Sequence, residues 1–236
     1  MGVISKVGRQ LDPVVSTTGD NAPLIHVLFV LHSDPLEGSE FPPGGVELHV
    51  KGLAEELAFC GEVVPIIWAS NGRELSLIEI DENGDWCRTR LSLPNPIDNL
   101  TITDSFYTQR FQEVLQEFQI DIIHVHHLFR SPLDISSFLG DWSGGLVISL
   151  HDYFFLCPGI TLIGQDGSFC KGGGLDICPA CVKKITGRQF DIQEWRGKHR
   201  RNVEYADLLY APSESTASLV KEVLKPCLIH DIVVRG

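Results

Sequence analysis

The sequence predicts an α/β fold, a doubly wound and mostly parallel sheet that carries a cysteine-containing loop. Three observations predict it. Leu24 to Leu31 is a nearly continuous apolar run, as expected of a strand covered on both faces of a parallel sheet. Further strand-like runs follow, and amphipathic helical stretches separate most of them, which is the pattern of a parallel sheet. Small and ionisable residues then collect directly after these runs, where ligands bind in open parallel sheets.

The elements can be justified in order. Residues 1–22 scatter Val and Ile without a compact apolar segment or a cleavage-like site, and are expected to be a flexible leader. Residues 23–236 are expected to form one domain. After the first strand, Pro35, Pro42 and Pro43 keep the loop irregular, because proline lacks the amide hydrogen that a helix or ladder needs. Gly44 and Gly45 then open a helix whose apolar face is Val46, Val50, Leu53, Ala54 and Leu57. Gly61 ends it. Residues 62–68 form a strand. Residues 73–80 and 85–91 form a hairpin turning at Glu82-Asn83-Gly84. Residues 103–118 form a helix capped by Thr103 or Asp104. Residues 121–127 are a buried strand, 133–139 a short helix and 146–150 a strand. Residues 157–182 are read as a long irregular loop. A helix over 189–206, a strand over 207–211, a helix over 214–224 capped by Ser213, and a last strand over 229–234 complete the chain.

Composition limits the function classes. With 43% hydrophobic residues in 236, the chain can bury a real core. A formal net charge of −12 argues against non-specific nucleic-acid binding, so no nucleic-acid partner is expected. Lys183, Lys184, Arg188, Arg196, Lys198, Arg200 and Arg201 cluster late in the chain. They read either as a solvated helix face or as a peripheral contact with acidic lipid head groups. No apolar run reaches the length of a spanning helix. The expected location is cytoplasmic, with reduced thiols or metal ligands among the seven cysteines.

The strand ends supply the candidate site. His32, Ser33 and Asp34 follow the first strand, and Gly44, Gly45 and Glu47 stand across its loop. His126 and His127 end the strand at 121–127; His151, Asp152 and Tyr153 follow the next; Ser213 and Glu214 follow the strand at 207–211. Gly44 and Gly45 leave the first amides of their helix open at its partially positive end, suited to a phosphate or a sugar. Each residue also has an ordinary structural role open to it. The glycines permit a tight turn, one of His124 and His126 is a core histidine, Asp152 caps a turn, and His151 tethers the long loop. A histidine metal hydrolase lacks a carboxylate partner at ligand spacing. The chain has no G-x-S-x-G elbow, no P-loop and no G-x-G-x-x-G.

Cys157, Cys170, Cys178 and Cys181 fall in one glycine-rich stretch, the last two as Cys-Pro-Ala-Cys. They suit a structural zinc site; free thiols or disulfides are the alternatives. A thioredoxin-type role is disfavoured because no helix start is evident at Cys178. Cys60, Cys87 and Cys227 read as buried small apolar residues.

The segments GGVELHVKGLAEELA, DIIHVHHL, LVISLHDYFFLCP and ADLLYAPSE, in this order, resemble the N-terminal half of family 4 glycosyltransferases of the GT-B fold. The resemblance implies a Rossmann-like, acceptor-side domain of a retaining enzyme that moves a sugar from a nucleotide-sugar donor to a hydroxyl acceptor, either a saccharide or a lipid-linked intermediate. It implies no cofactor for the chemistry. His151 matches the histidine that contacts the transferred sugar. Gly44 and Gly45 match the glycine loop that approaches the donor diphosphate, with Glu47, His127, Asp152, Tyr153 and Ser213 near the cleft. The donor domain of the family, with its basic pair and Glu-x7-Glu motif, is expected to lie beyond Gly236, so this polypeptide alone is not expected to be active. The competing reading is a non-catalytic α/β binding module with a zinc-stabilised loop.

Overall fold

The computed structural model of the chain describes residues 23–36, 43–81, 83–173, 178–225 and 232–235. The expected leader, Glu82 of the hairpin turn and Cys227 lie outside the described residues. The strands are β1 (Ile25–Leu31), β2 (Val63–Ser70), β3 (Glu74–Ile80), β4 (Trp86–Ser92), β5 (Ile122–Val125), β6 (Gly145–Ser149), β7 (Leu208–Ala211) and β8 (Ile232–Val234). The helices are α1 (Gly45–Cys60), α2 (Ser105–Glu117), α3 (Ile135–Leu139), α4 (Cys178–Thr186), α5 (Ile192–Tyr205) and α6 (Glu214–Leu224).

All eight strands form one sheet in the order β4-β3-β2-β1-β5-β6-β7-β8. The pairs from β2 to β8 are parallel. The hairpin β3–β4 adds two antiparallel edge strands. This is the α/β, Rossmann-like architecture that the sequence predicts. Side chains alternate across a strand, so β1 feeds two cores. Leu28 and Val30 pack toward Tyr107, Phe111, Phe138 and Trp195, the side of α2, α3 and α5. Val27, Phe29 and Leu31 pack toward Val50 and Ala54 of α1. Beyond α1, that second face of the sheet is a groove of about 720 Å³, with Val147, Leu208 and Tyr210 in its lining.

Local chemistry explains the boundaries. Gly61 ends α1 in the left-handed region (φ 73°), its N–H donating to the Ala58 carbonyl. Asp104, not Thr103, caps α2 by accepting from the Tyr107 N–H. Ser213 caps α6 through the Thr216 N–H.

Three sequence expectations need correction. A helix does begin at Cys178: Pro179 sits in its first turn, where the missing N–H costs nothing, and Val182 anchors it in the core. Residues 157–182 are therefore not loop throughout. Cys60 and Cys87 are exposed, Cys60 in the last turn of α1 and Cys87 on the outermost strand. His124 and His126, two residues apart, share one face with their rings 3.9 Å apart, and His126 is the buried one. The late basic cluster is not one solvated face. Arg196 is buried, Arg188 pairs with Asp98 and Lys198 with Asp134. No helix among the described residues is long and apolar enough to cross a membrane.

Candidate functional site

The site lies where β1 and β5 run side by side and their connections diverge, α1 to one face of the sheet and α3 to the other. A crevice opens at the carboxyl ends of the strands at such a point. β1 delivers His32, β5 delivers His126 and His127, and β6 delivers His151 and Asp152.

His127 and Asp152 form its most constrained pair. The Phe129 N–H donates to His127 Nδ1 at 2.9 Å, and His127 Nε2 lies 2.8 Å from Asp152 Oδ2. A ring nitrogen that accepts from an amide carries no proton, so the proton sits on Nε2 and is donated to Asp152. Asp152 Oδ1 accepts from the Phe154 N–H at 2.7 Å. Burial works against the Asp152 charge, yet the hydrogen bond from His127, with the Phe154 amide, holds the carboxyl below its ordinary range. Asp152 thus does cap a turn, and with its other oxygen it also fixes the His127 tautomer.

A second histidine group stands beside it on the α1 face. His126 Nδ1 lies 2.8 Å from His151 Nε2, and His124 Nε2 lies 2.8 Å from Ser149 Oγ. Burial lowers His124 and His151 to about 4, with neighbouring histidines adding to the shift, and pushes His126 well below 6.5. At neutral pH these imidazoles are uncharged. Buried His126 Nε2 has no hydrogen-bond partner. An orphaned N–H costs more than an orphaned lone pair. The favoured arrangement therefore puts the His126 proton on Nδ1, donated to His151 Nε2. His151 then carries its own proton on Nδ1, a donor for a ligand oxygen.

Glu47 has a structural duty. It is 2% exposed, and its Oε2 accepts from the Gly44 N–H at 3.0 Å while Oε1 lies 3.2 Å from His32 Nδ1 without hydrogen-bond alignment. A Cβ on Gly44 would stand 2.9 Å from that oxygen, whereas one on Gly45 meets nothing within 4 Å. Gly44 is thus held by close approach, and its amide is already used. The next amides of α1 have no acceptor within the helix. His32, its ring 4.4 Å from that of His127, is lowered to about 3 by burial and then by His127.

The other expected residues have partners of their own. Tyr153 turns toward the cysteine loop, its ring 6.0 Å from Phe169. Ser213 bonds within its own cap, to the Thr216 N–H and to the Ser215 and Thr216 hydroxyls. Asp34 is buried against Arg88 at 2.8 Å, tying the loop after β1 to β4.

Sequence reasoning missed His49. It lies on α1, three residues after Val46 and four before Leu53, which places it on the apolar stripe. That placement was the available signal. Its ring is 5.4 Å from His151 and 5.8 Å from His126. His49, His126 and His151 each offer a nitrogen, all within 4.8 Å of one another, and among the described residues they are the group able to share a metal ion. No single stretch of sequence shows it, because three elements supply it.

The profile of Glycosyltransferase Family 4 matches residues 43–232, most of the chain. The chain belongs to this family, which suggests sugar transfer as its general activity. A search of curated proteins returns no match. Solved structures similar to it include a secreted C11 cysteine protease from Bacteroides thetaiotaomicron, "iotapain", at 14% identity and a TM-score of 0.35, covering 86% of this chain and 51% of that one. The same kind of protease with an irreversible peptide inhibitor matches at 8% identity and a TM-score of 0.31, covering 80% of this chain and 42% of that one. The chain therefore spans about half the length of these structures.

Proposed function

We propose that this chain is the acceptor-side half of a retaining glycosyltransferase whose nucleotide-sugar donor is delivered by a second, nucleotide-binding domain. The observation that carries it is His151. It follows β6 directly, its Nε2 is engaged by His126, which leaves Nδ1 for a ligand, and it lines the groove on the α1 face of the sheet. A neutral His151 Nδ1–H donates to a hydroxyl of the transferred sugar. It supplies orientation, not positive charge, because its pKa near 4 keeps it unprotonated at neutral pH. The amides that open α1 face the donor diphosphate from their partially positive end.

In the reaction the acceptor oxygen bonds to the anomeric carbon on the face that the phosphate leaves. The carbon–phosphate-oxygen bond breaks, and the hydroxyl proton passes to the departing phosphate oxygen. Cationic groups that stabilise this phosphate come from the donor domain. The acceptor lies along this groove, where Val147, Leu208 and Phe29 offer apolar contact and His124, His49 and His151 also contribute to the lining. This lining favours an acceptor with an apolar carrier over a free saccharide.

The test uses the full-length product of the gene that carries this chain. It is offered a panel of nucleotide sugars with lipid-linked and free saccharide acceptors. Release of nucleoside diphosphate, with a product of unchanged anomeric configuration by NMR, is expected. An inverted product, or no turnover with any donor, overturns the reading.

A further inference from the structure

The segment after Asp152 holds a second cluster that the sugar-transfer reading does not use. Cys157, Cys170, Cys178 and Cys181 come from three places: the turn after Leu156, the strand-like pairing Ile163–Phe169, and the first turn of α4. All four line one cavity of about 20 Å³. That is room for one small ion or one water. Cys178 and Cys181 are three apart on a helix and share a face. All four are free thiols in this structure.

Beside them stands an unusual cation. Arg196 of α5 is only 8% exposed and pairs with no carboxylate among the described residues. Its guanidinium donates to the Leu156 carbonyl at 2.9 Å and to the Gly172 carbonyl, and reaches Cys178 Sγ at 3.7 Å. A buried guanidinium beside thiols requires negative charge nearby. Four neutral thiols do not provide it. Four thiolates around a divalent ion do, because that complex carries two net negative charges.

We propose that Cys157, Cys170, Cys178 and Cys181 bind one structural zinc ion, with Arg196 offsetting the charge of the tetrathiolate. Binding displaces the four thiol protons to solvent. All-sulfur, four-fold ligation selects zinc over hard cations such as magnesium and leaves no open position for chemistry. The described sulfurs do not yet meet as ligands, since the group within 4.8 Å is the histidine one. Zinc draws them to about 3.8 Å from one another. The ion fixes the segment that begins at Leu156, immediately after the Asp152–Phe154 turn that holds His127.

The experiment measures metal content of the full chain purified without added metal or chelator. About one zinc per chain is expected, falling below about 0.2 in Cys178→Ser and Cys181→Ser and unchanged in Cys60→Ser, whose thiol lies on α1. If the serine variants do not fold, a thiol-reactive mercurial added to the native chain releases the zinc, read with a metal-binding dye. Cobalt-loaded chain should also show the absorption of tetrahedral cobalt thiolate. Less than about 0.1 zinc per chain, iron in its place, or the four sulfurs recovered as disulfides from denatured, unreduced protein overturns the proposal.

Discussion

Acidification provides the sharpest quantitative prediction. His126 and His199 are buried and His32 and His124 half-buried, and burial is the first cause that lowers each: His32 and His199 to about 3, His124 to about 4, His126 well below 6.5. Their folded pKa values lie below the unfolded value, so the unfolded chain binds more protons as pH falls below 6.5. The stability is present above that pH and is lost as pH falls toward 3–4. Between about pH 6.5 and 5.5 each histidine costs about 1 kcal/mol, and the four together about 4 kcal/mol. His151, the most accessible of the group, is left out of the sum. Domains hold only about 5–15 kcal/mol in total, so the loss is a large fraction. Urea denaturation followed by tryptophan fluorescence at a series of pH values measures it. His199 packs between Trp195 and Phe155, and neither ring nitrogen has a partner. His199→Leu should therefore flatten the pH dependence by about a quarter, about 1 kcal/mol, over this range. A decline below about 1 kcal/mol in the parent chain would refute the claim that these imidazoles are held neutral.

Three substitutions test the site's construction. Asp152→Ala removes the acceptor of both His127 and the Phe154 N–H, and should lower stability by about 3 kcal/mol in the same assay while abolishing transfer. Gly44→Ala forces a Cβ against Glu47 and should cost about 1 kcal/mol, read as a lower urea midpoint. Ser213→Ala removes a helix cap and should cost about 1 kcal/mol with the transfer rate unchanged, since its hydroxyl bonds only within α6.

The sheet was legible because its signal is local. Apolar runs and helical periodicity lie along the chain, and each strand end announced itself by the polar residues that follow it. His151, His127 and Asp152 were legible for the same reason. What was not legible arises between elements. His49 sits on the apolar stripe of α1, and only the packing of α1 against β1 and β2 brings it beside His151. Glu47 resembled a ligand contact because the chain alone does not show that its carboxylate turns back onto Gly44. The helix at Cys178 was hidden by the glycines before it and by Pro179, a residue that breaks helix interiors but suits a first turn. Cys60 and Cys87 were assigned from the average behaviour of cysteine, which does not distinguish a helix end or an edge strand from a core.

The most direct test of the central claim is the effect of His151→Ala on kcat/KM for sugar transfer by the full-length protein, with the fold verified by circular dichroism. The account predicts a loss of about 100-fold or more, since the substitution removes a hydrogen bond aimed at the reacting sugar. A variant that transfers sugar at an undiminished rate would contradict it.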